Sequence, residues 1–321
     1  MFAGKMPCDR EGRPLETIHN SSSTQELASG LSIDHTFSSK PEEGYSDYYE
    51  KMTTYAHIIS GPAISINPSI RIQTFSVVEP DSDDSVFKYI DTASTRAGIV
   101  AETQKLAIGA VAIVGLGGTG SYILDLLAKT PVKEIHLFDG DRFGQHNAFR
   151  SPGAPSLETL KRAPQKSDYF RSVYSQMRNN IIAHGLLDET TADSLRNMDF
   201  VFLAVDKGSS RKFAVEKLCE FGVPFIDVGM GVNKEDGPLL GVLRVTASTD
   251  KQRNNIHKAI PFADDDGENE YSRNIQIADL NALNAALAII KWKKHMGFYV
   301  DLENEQSSYY QIDGNCLTNE T

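Results

Sequence analysis

"VAIVGLGGTG" at residues 111–120 and "EIHLFDGDRFGQHNAFR" at residues 134–150 decide how this chain folds. The first opens with a short, unbroken apolar run, the pattern of a strand buried on both faces of a parallel sheet. Gly115, Gly117 and Gly120 follow in G-x-G-x-x-G spacing, with Gly118 beside them. The next residues, "SYILDLLAKT", place Tyr122, Ile123, Leu126 and Leu127 at helical spacing, and Pro131 lies just past the end. "EIHLFD" is a second strand, so strand, glycine turn, helix and strand form a βαβ unit of about 30 residues. In such a unit the first glycine permits the tight turn and the second lets the backbone approach a phosphate. The third lets the helix lie close to the strand. Phosphate then rests on unpaired N–H groups at the positive end of the helix.

Downstream the alternation continues. "DFVFLAVD" and "VPFIDVG" read as strands flanking the helical "SSRKFAVEKLCEFG". "LLGVLRVTA" reads as a later strand, and "IQIADLNALNAALAIIKWKK" as a long helix with an apolar face. The pattern predicts an α/β, Rossmann-like fold, an open, mostly parallel sheet with helices on both faces. Residues 85–321 are expected to form this domain and residues 1–84 a smaller, partly irregular module. Within the module, residues 1 to about 30 are polar and turn-rich and are expected to be loosely ordered. A helix is expected from Tyr48 to Ile59, stopped by Gly61-Pro62, and an alternating strand within "NPSIRIQTFSVVEPDSDD". Tyr45, Tyr48, Tyr49 and Tyr55 are expected to serve packing.

Of the 321 residues, 40% are hydrophobic and 23% charged, a soluble globular balance. The net charge of −11 argues against a nucleic-acid surface. No apolar run is long enough for a bilayer, and the first residues lack the apolar core of a secretory signal. The three cysteines, Cys8, Cys219 and Cys316, stand far apart, which points to the reducing cytoplasm rather than to a disulfide framework.

The glycine turn and Asp139, a carboxylate at a strand end suited to ribose hydroxyls, serve a nicotinamide dinucleotide and ATP equally. The following residues separate the two. A triphosphate carries roughly twice the charge of a dinucleotide's pyrophosphate, and attack at phosphorus adds more in transit, so fixed cations and a metal ion are needed. Asn147 and Arg150 in "HNAFR", Lys166 in "APQKSDYF" and Asp206 after "VFLAV" supply them in order. Arg150 can fork onto phosphate oxygens and Lys166 is a compact point charge. Asp206, beyond a parallel strand, can hold Mg²⁺, which favours carboxylate and phosphate oxygens. An ordinary helix N-cap is the competing reading for Asp206.

This ordered set resembles the ThiF/MoeB-type adenylyltransferases, the superfamily of ubiquitin-activating enzymes. "GLGGTG" matches the family's glycine turn, "DGD" its D-x-D at Asp139 and Asp141, and "NAFR" its N-x-x-R. "QKS" and "LAVDKGSSR" supply its lysine and strand-ending aspartate. The resemblance implies that ATP and the C-terminal carboxylate of a ubiquitin-like or sulfur-carrier protein meet in the crevice, giving an acyl-adenylate and pyrophosphate. It gives Asp139 the ribose, Asn147, Arg150 and Lys166 the phosphates, and Asp206 the Mg²⁺. It also implies a homodimer in which Arg96, within "DTASTRAGI", reaches the neighbouring subunit's site, and a possible conjugating partner in a bacterial conjugation, sulfur-transfer or cofactor pathway.

The chain departs from the family pattern at Ser151, where glutamine is usual, and at Lys207, where asparagine is usual. Residues 248–274, where some members carry a thioester cysteine, contain none, so adenylation without a thioester on this chain is expected. The zinc-binding CxxC pairs of many members are absent too, and no structural zinc is expected. The first 85 or so residues resemble an uncharacterised module that precedes such domains in some bacterial proteins. Three other readings stand beside adenylation of a protein tail: a nicotinamide dehydrogenase, a catalytically silent scaffold subunit, and adenylation of a small-molecule carboxylate. If Arg96 works across a dimer, mixing Arg96→Ala chains with Asp206→Ala chains should restore part of the ATP–pyrophosphate exchange that each lacks alone. Absence of recovery would place Arg96 in its own chain's site or outside catalysis.

Overall fold

A computed structural model describes all residues except 29–30, 74, 76, 81–84, 235–236, 251, 254–255, 263–274 and 321. The chain divides into two compact units, Met1–Val77 and Val78–Thr321.

The first unit pairs β1 (His19–Ala28) antiparallel with β2 (Leu31–Phe37). The expectation of loose order up to residue 30 is therefore corrected. The Ser/Thr-rich strand is held by side chains as well as by its ladder: Ser21 Oγ meets Thr36 Oγ1 at 2.5 Å, and Thr24 donates to Asp34 at 3.0 Å. Ile18 and Ile33 are its buried residues. Helix α1 (Tyr48–Ile66) starts where Asp47 accepts the Glu50 N–H, but it runs through Pro62 instead of ending before it. A proline clashes with the Cβ of a helical residue preceding it, and Gly61 has none. Tyr45 and Tyr55 both direct their hydroxyls to the Ser39 carbonyl, whereas Tyr48 and Tyr49 stand exposed. The strand expected after residue 67 does not form among the described residues there.

In the second unit the short helices α2 (Thr92–Ala97) and α3 (Val100–Gln104) precede the sheet. Then come β3 (Ala110–Val114), α4 (Gly118–Leu127), β4 (Glu134–Phe138), α5 (Gln145–Ala148), α6 (Leu157–Arg162) and α7 (Lys166–Tyr174). The order continues with β5 (Ile181–His184), β6 (Phe200–Leu203), α8 (Gly208–Phe221), β7 (Phe225–Lys234) and β8 (Leu239–Ser248). The last elements are α9 (Ile256–Ala259), α10 (Ala278–His295), β9 (Ser307–Gln311) and β10 (Cys316–Glu320). The eight strands lie in the order β10-β9-β8-β7-β6-β3-β4-β5. β5, β4, β3, β6 and β7 run parallel, and β8, β9 and β10 extend the sheet antiparallel.

Alternation along the parallel strands builds two cores, one per face. Val111 and Ile113 join Leu124 and Leu127 of α4 and Trp292 of α10. Ala112 and Val114 face the other way, joining Val201 of β6 and Val215 and Leu218 of α8. Burial on both faces explains why β3 and β6 read as continuous apolar runs. From β3 the chain steps outward to β4 and β5, then crosses back to β6 on the other side of β3. That reversal opens a crevice at the carboxyl ends of β3 and β6, where sheets of this kind take ligands. The glycine turn, Asp139 and Asp206 follow β3, β4 and β6 into it. Among the described residues no helix is long and apolar enough to cross a membrane.

Candidate active site

Three of the four glycines between residues 115 and 120 are demanded by packing. Gly115 has φ +89°, and a Cβ there would lie 2.3 Å from the Ala204 carbonyl oxygen. A Cβ on Gly118 would meet the Asn281 side chain at 2.0 Å, and one on Gly120 would meet the Gly115 oxygen at 1.9 Å. Gly117 differs, with nothing within 4 Å of where a Cβ would stand. Its open side faces the crevice at the N-terminus of α4, where backbone N–H groups and the helix dipole favour an anion.

Asp139 ties this turn to the next loop. Its Oδ2 accepts the Leu116 N–H at 2.7 Å and its Oδ1 the Asp141 N–H at 2.8 Å. Lys166 is the first residue of α7, a place where the helix dipole disfavours a cation. It is nonetheless buried, with Nζ 2.7 Å from Asp141 Oδ2 and 3.6 Å from Asp139 Oδ1. The Lys166 hydrogen bond, helped by the fields of Lys207 and Arg150, holds the Asp141 carboxyl below the usual carboxylate range. It is therefore ionised at neutral pH.

Asn147 is fully buried on α5. Its Oδ1 accepts the Gly144 N–H at 2.9 Å, and its Nδ2 is buried without a partner. Arg150 Nε is likewise buried and unpartnered. Buried donors left unpaired in a protein interior are costly; Arg150 lines the smaller cavity described below, and Asn147 lines neither. Asp206 is exposed, and both its oxygens accept from Gln276 Nε2, at 3.1 and 3.2 Å. It is not the N-cap of α8: that position is Lys207, and no side chain caps the helix.

Two cavities meet at these groups. One, of about 300 Å³, is lined by Asp139, Asp141, Arg150, Lys166 and Lys207 on its polar side. Phe138, Leu186 and Leu187 form its apolar side. The other, of about 430 Å³, runs over β7 and β8 between Gly229, Gly231, Arg244, Gln276 and Asn284. Gly117, Ala204, Val205 and Asp206 line both. Arg96 is exposed on α2 and lines neither.

Several residues here escaped the reading of the sequence. Asp227, wholly buried on β7, binds Arg244 Nη2 at 2.5 Å and pairs with Arg211 Nε at 3.2 Å. Arg211 also donates to the Val205 carbonyl, fixing the turn that carries Asp206. Asn281 on α10 accepts the Thr119 hydroxyl at 2.9 Å and donates to the Arg150 carbonyl at 3.5 Å. Asn284, one helical step on, donates to the Gly229 carbonyl at 3.0 Å. Their signal was present: a carboxylate inside the apolar "FIDVG", and two asparagines at i,i+3 on the apolar face of a helix.

Comparison with known proteins bears on the fold. Residues 92–242 match the model of the ThiF family, and residues 1–92 match a domain of unknown function, DUF6791. Ubiquitin-like modifier-activating enzyme 5 of Aedes aegypti is 25% identical over 163 residues, covering 45% of this chain and 40% of the relative. The same enzyme of Gallus gallus is 27% identical over 180 residues, 52% of this chain and 44% of the relative. The chain thus spans less than half the length of the curated relatives it matches. Among solved structures, E. coli MccB with MccA-N7isoASN aligns at a TM-score of 0.57 and 20% identity, covering 71% of each chain. E. coli MccB with ATP aligns at 0.53 and 19% identity, over 70% of this chain and 66% of that one. Selenomethionyl PaaA aligns at 0.53 and 14% identity over 95% of this chain and 98% of its own.

The glycines give a direct test of this geometry. Gly120→Ala should lower stability by about 3 kcal/mol in a denaturant titration, because backbone must move. Gly117→Ala should stay within about 0.5 kcal/mol of the parent yet lose most of the thermal shift given by ATP with magnesium. The opposite pattern would mean that Gly117 does not face the ligand.

Proposed function

We propose that this protein adenylates the C-terminal carboxylate of a ubiquitin-like, sulfur-carrier or peptide substrate, using ATP and releasing pyrophosphate. The observation that carries the reading is the junction of the two cavities at Gly117 and Asp206. One cavity brings Arg150, Lys166 and Lys207 together with Asp139, Asp141 and Asp206 and can hold the nucleotide with its metal ion. The other is a polar slot in which a chain terminus can lie. A hydride-transfer site has no use for the cations, and a scaffold subunit has no use for buried donors without partners.

The residues present fit ATP. The apolar side of Phe138, Leu186 and Leu187 suits a base, and the Asp139 oxygens each keep a lone pair for ribose hydroxyls. Arg150 and Lys166 line the cavity and supply donors to the phosphates, and we assign the buried Asn147 amide, which lines neither cavity, to the same role. The substrate carboxylate oxygen attacks the α-phosphorus, a new P–O bond forms, and the bond to the β-phosphate oxygen breaks. The leaving pyrophosphate takes that electron pair. Negative charge grows on the oxygens around phosphorus, where Arg150 and Lys166 stabilise it without reorganising. Asp141 holds Lys166 in place through their hydrogen bond, and Lys207, where relatives of this type usually have asparagine, adds a further positive charge.

Magnesium fits beside Asp206, whose oxygens retain free lone pairs; it would neutralise phosphate charge when bound, completing its shell from phosphate oxygens and water. We assign Asp206 to that ion and Arg96 to the partner's site in a homodimer. The reaction stops at the adenylate on this chain. Cys219 is half-buried on α8 and burial pushes its thiol up, while Cys316 is exposed on β10. Neither lines either of the two cavities. Three free cysteines suit a reducing cytoplasm.

ATP–pyrophosphate exchange tests the reading, with small proteins bearing free, flexible C-termini as acyl substrates. Exchange should appear with a matching tail, and Arg150→Ala or Lys166→Ala should lower it about 100-fold or more. A thermal shift with NAD(P) but not with ATP and magnesium would overturn it.

A further inference from the structure

The wider cavity contains an acceptor that the proposed chemistry leaves unused. Asn284 on α10 is fully buried, with no exposed surface, and lines the cavity that Gly117 and Asp206 open into. Its Nδ2 donates to the Gly229 carbonyl at 3.0 Å. That bond fixes the amide's orientation, because the reverse would set two oxygens against each other. Asn284 Oδ1 therefore lies at the other end of the amide, and it is buried without a partner. Gln276 repeats the arrangement nearer the junction. Its Nε2 is taken by Asp206, and its Oε1 is buried and unpaired. The cavity thus offers two amide oxygens in want of N–H donors. Beside them Gly231 leaves open space where a side chain would intrude.

We propose that Asn284 selects a peptide over a simple carboxylic acid by accepting the last peptide N–H of the acyl substrate. The inference rests on the adenylation reading and narrows it. In a peptide tail that N–H is two covalent bonds from the reacting carbonyl carbon. A carboxylate placed at the Gly117–Asp206 junction carries it into the wider cavity, where an extended chain has backbone donors to give. A carboxylic acid without an amide leaves Asn284 Oδ1 buried and unsatisfied. Sites built around such a bond reject ligands that lack it more strongly than apolar pockets reject a change of size.

The test needs no knowledge of the natural substrate. Two stable mimics of an acyl-adenylate differ in one atom: N-acetylglycyl-sulfamoyl adenosine has the N–H, and O-acetylglycolyl-sulfamoyl adenosine has an ester oxygen in its place. Calorimetry should show the full-length protein binding the amide about tenfold more tightly than the ester. In Asn284→Ala, that ratio should fall to about one. Gln276→Ala, which removes the other unpaired amide oxygen, should leave the ratio near ten, and loss of the ratio there would overturn the assignment to Asn284. Equal affinity of the parent for both mimics would overturn the selection by Asn284 while leaving adenylation standing. Failure to bind either mimic, together with no thermal shift from ATP and magnesium, would remove the adenylation reading itself.

Discussion

Both carboxylate oxygens of Asp139 accept backbone N–H groups, from Leu116 in the glycine turn and from Asp141 in the next loop, and Lys166 stands 3.6 Å away. A carboxylate so enclosed is costly to bury without such partners. In return it fixes three pieces of chain that follow three different elements. The turn after β3, the loop after β4 and the first residue of α7 are held in one register. Lys166 gains little from its place in α7, whose dipole repels it. Its aim into the cavity depends on the two aspartates.

The glycine turn adds a steric constraint to this electrostatic one. Gly115 is pressed against Ala204 and Gly120 against Gly115, so α4 sits as near to β3 and β6 as backbone allows. Asn281 then braces the far side, touching Gly118 and reaching the Thr119 hydroxyl and the Arg150 carbonyl. The long C-terminal helix belongs to the site as much as to the core. Its Trp292 end anchors it in the apolar cluster, and its Asn281 end sets the distance between the glycine turn and the Arg150 loop.

What could be read in the sequence was local or periodic. The βαβ unit, both flanking strands of α8 and the long helix follow from apolar spacing within single windows, and so did the sheet they make. The grouping of Asp139, Asp141, Arg150, Lys166 and Asp206 around one cavity was legible because these residues follow the glycine turn in a fixed order. The antiparallel extension was harder. β9 and β10, "SSYYQ" and "CLTNE", look like a polar tail until β8 supplies the ladder from some sixty residues away. β1 was missed for the same reason: its ten residues are nearly all exposed, and cross-strand pairs with β2 hold it. Pro62 misled in the other direction, since the glycine before it removed the clash that normally ends a helix. Asn281, Asn284 and Gln276 act through tertiary neighbours, and nothing in their local spacing says whom they will meet.

The sheet also divides the molecule's labours. Its parallel half ends in the turns that hold charge, while β7, β8 and β9 form one wall of the adjoining slot, with only Gly117 and the Ala204–Asp206 turn common to both cavities. Residues on the antiparallel wall, such as Met230, Val242 and Tyr309, can therefore drift without disturbing the phosphate loop. Selection acting on that wall would exchange one clientele for another while the reaction stayed the same, and a lineage could diversify its targets at small mutational distance.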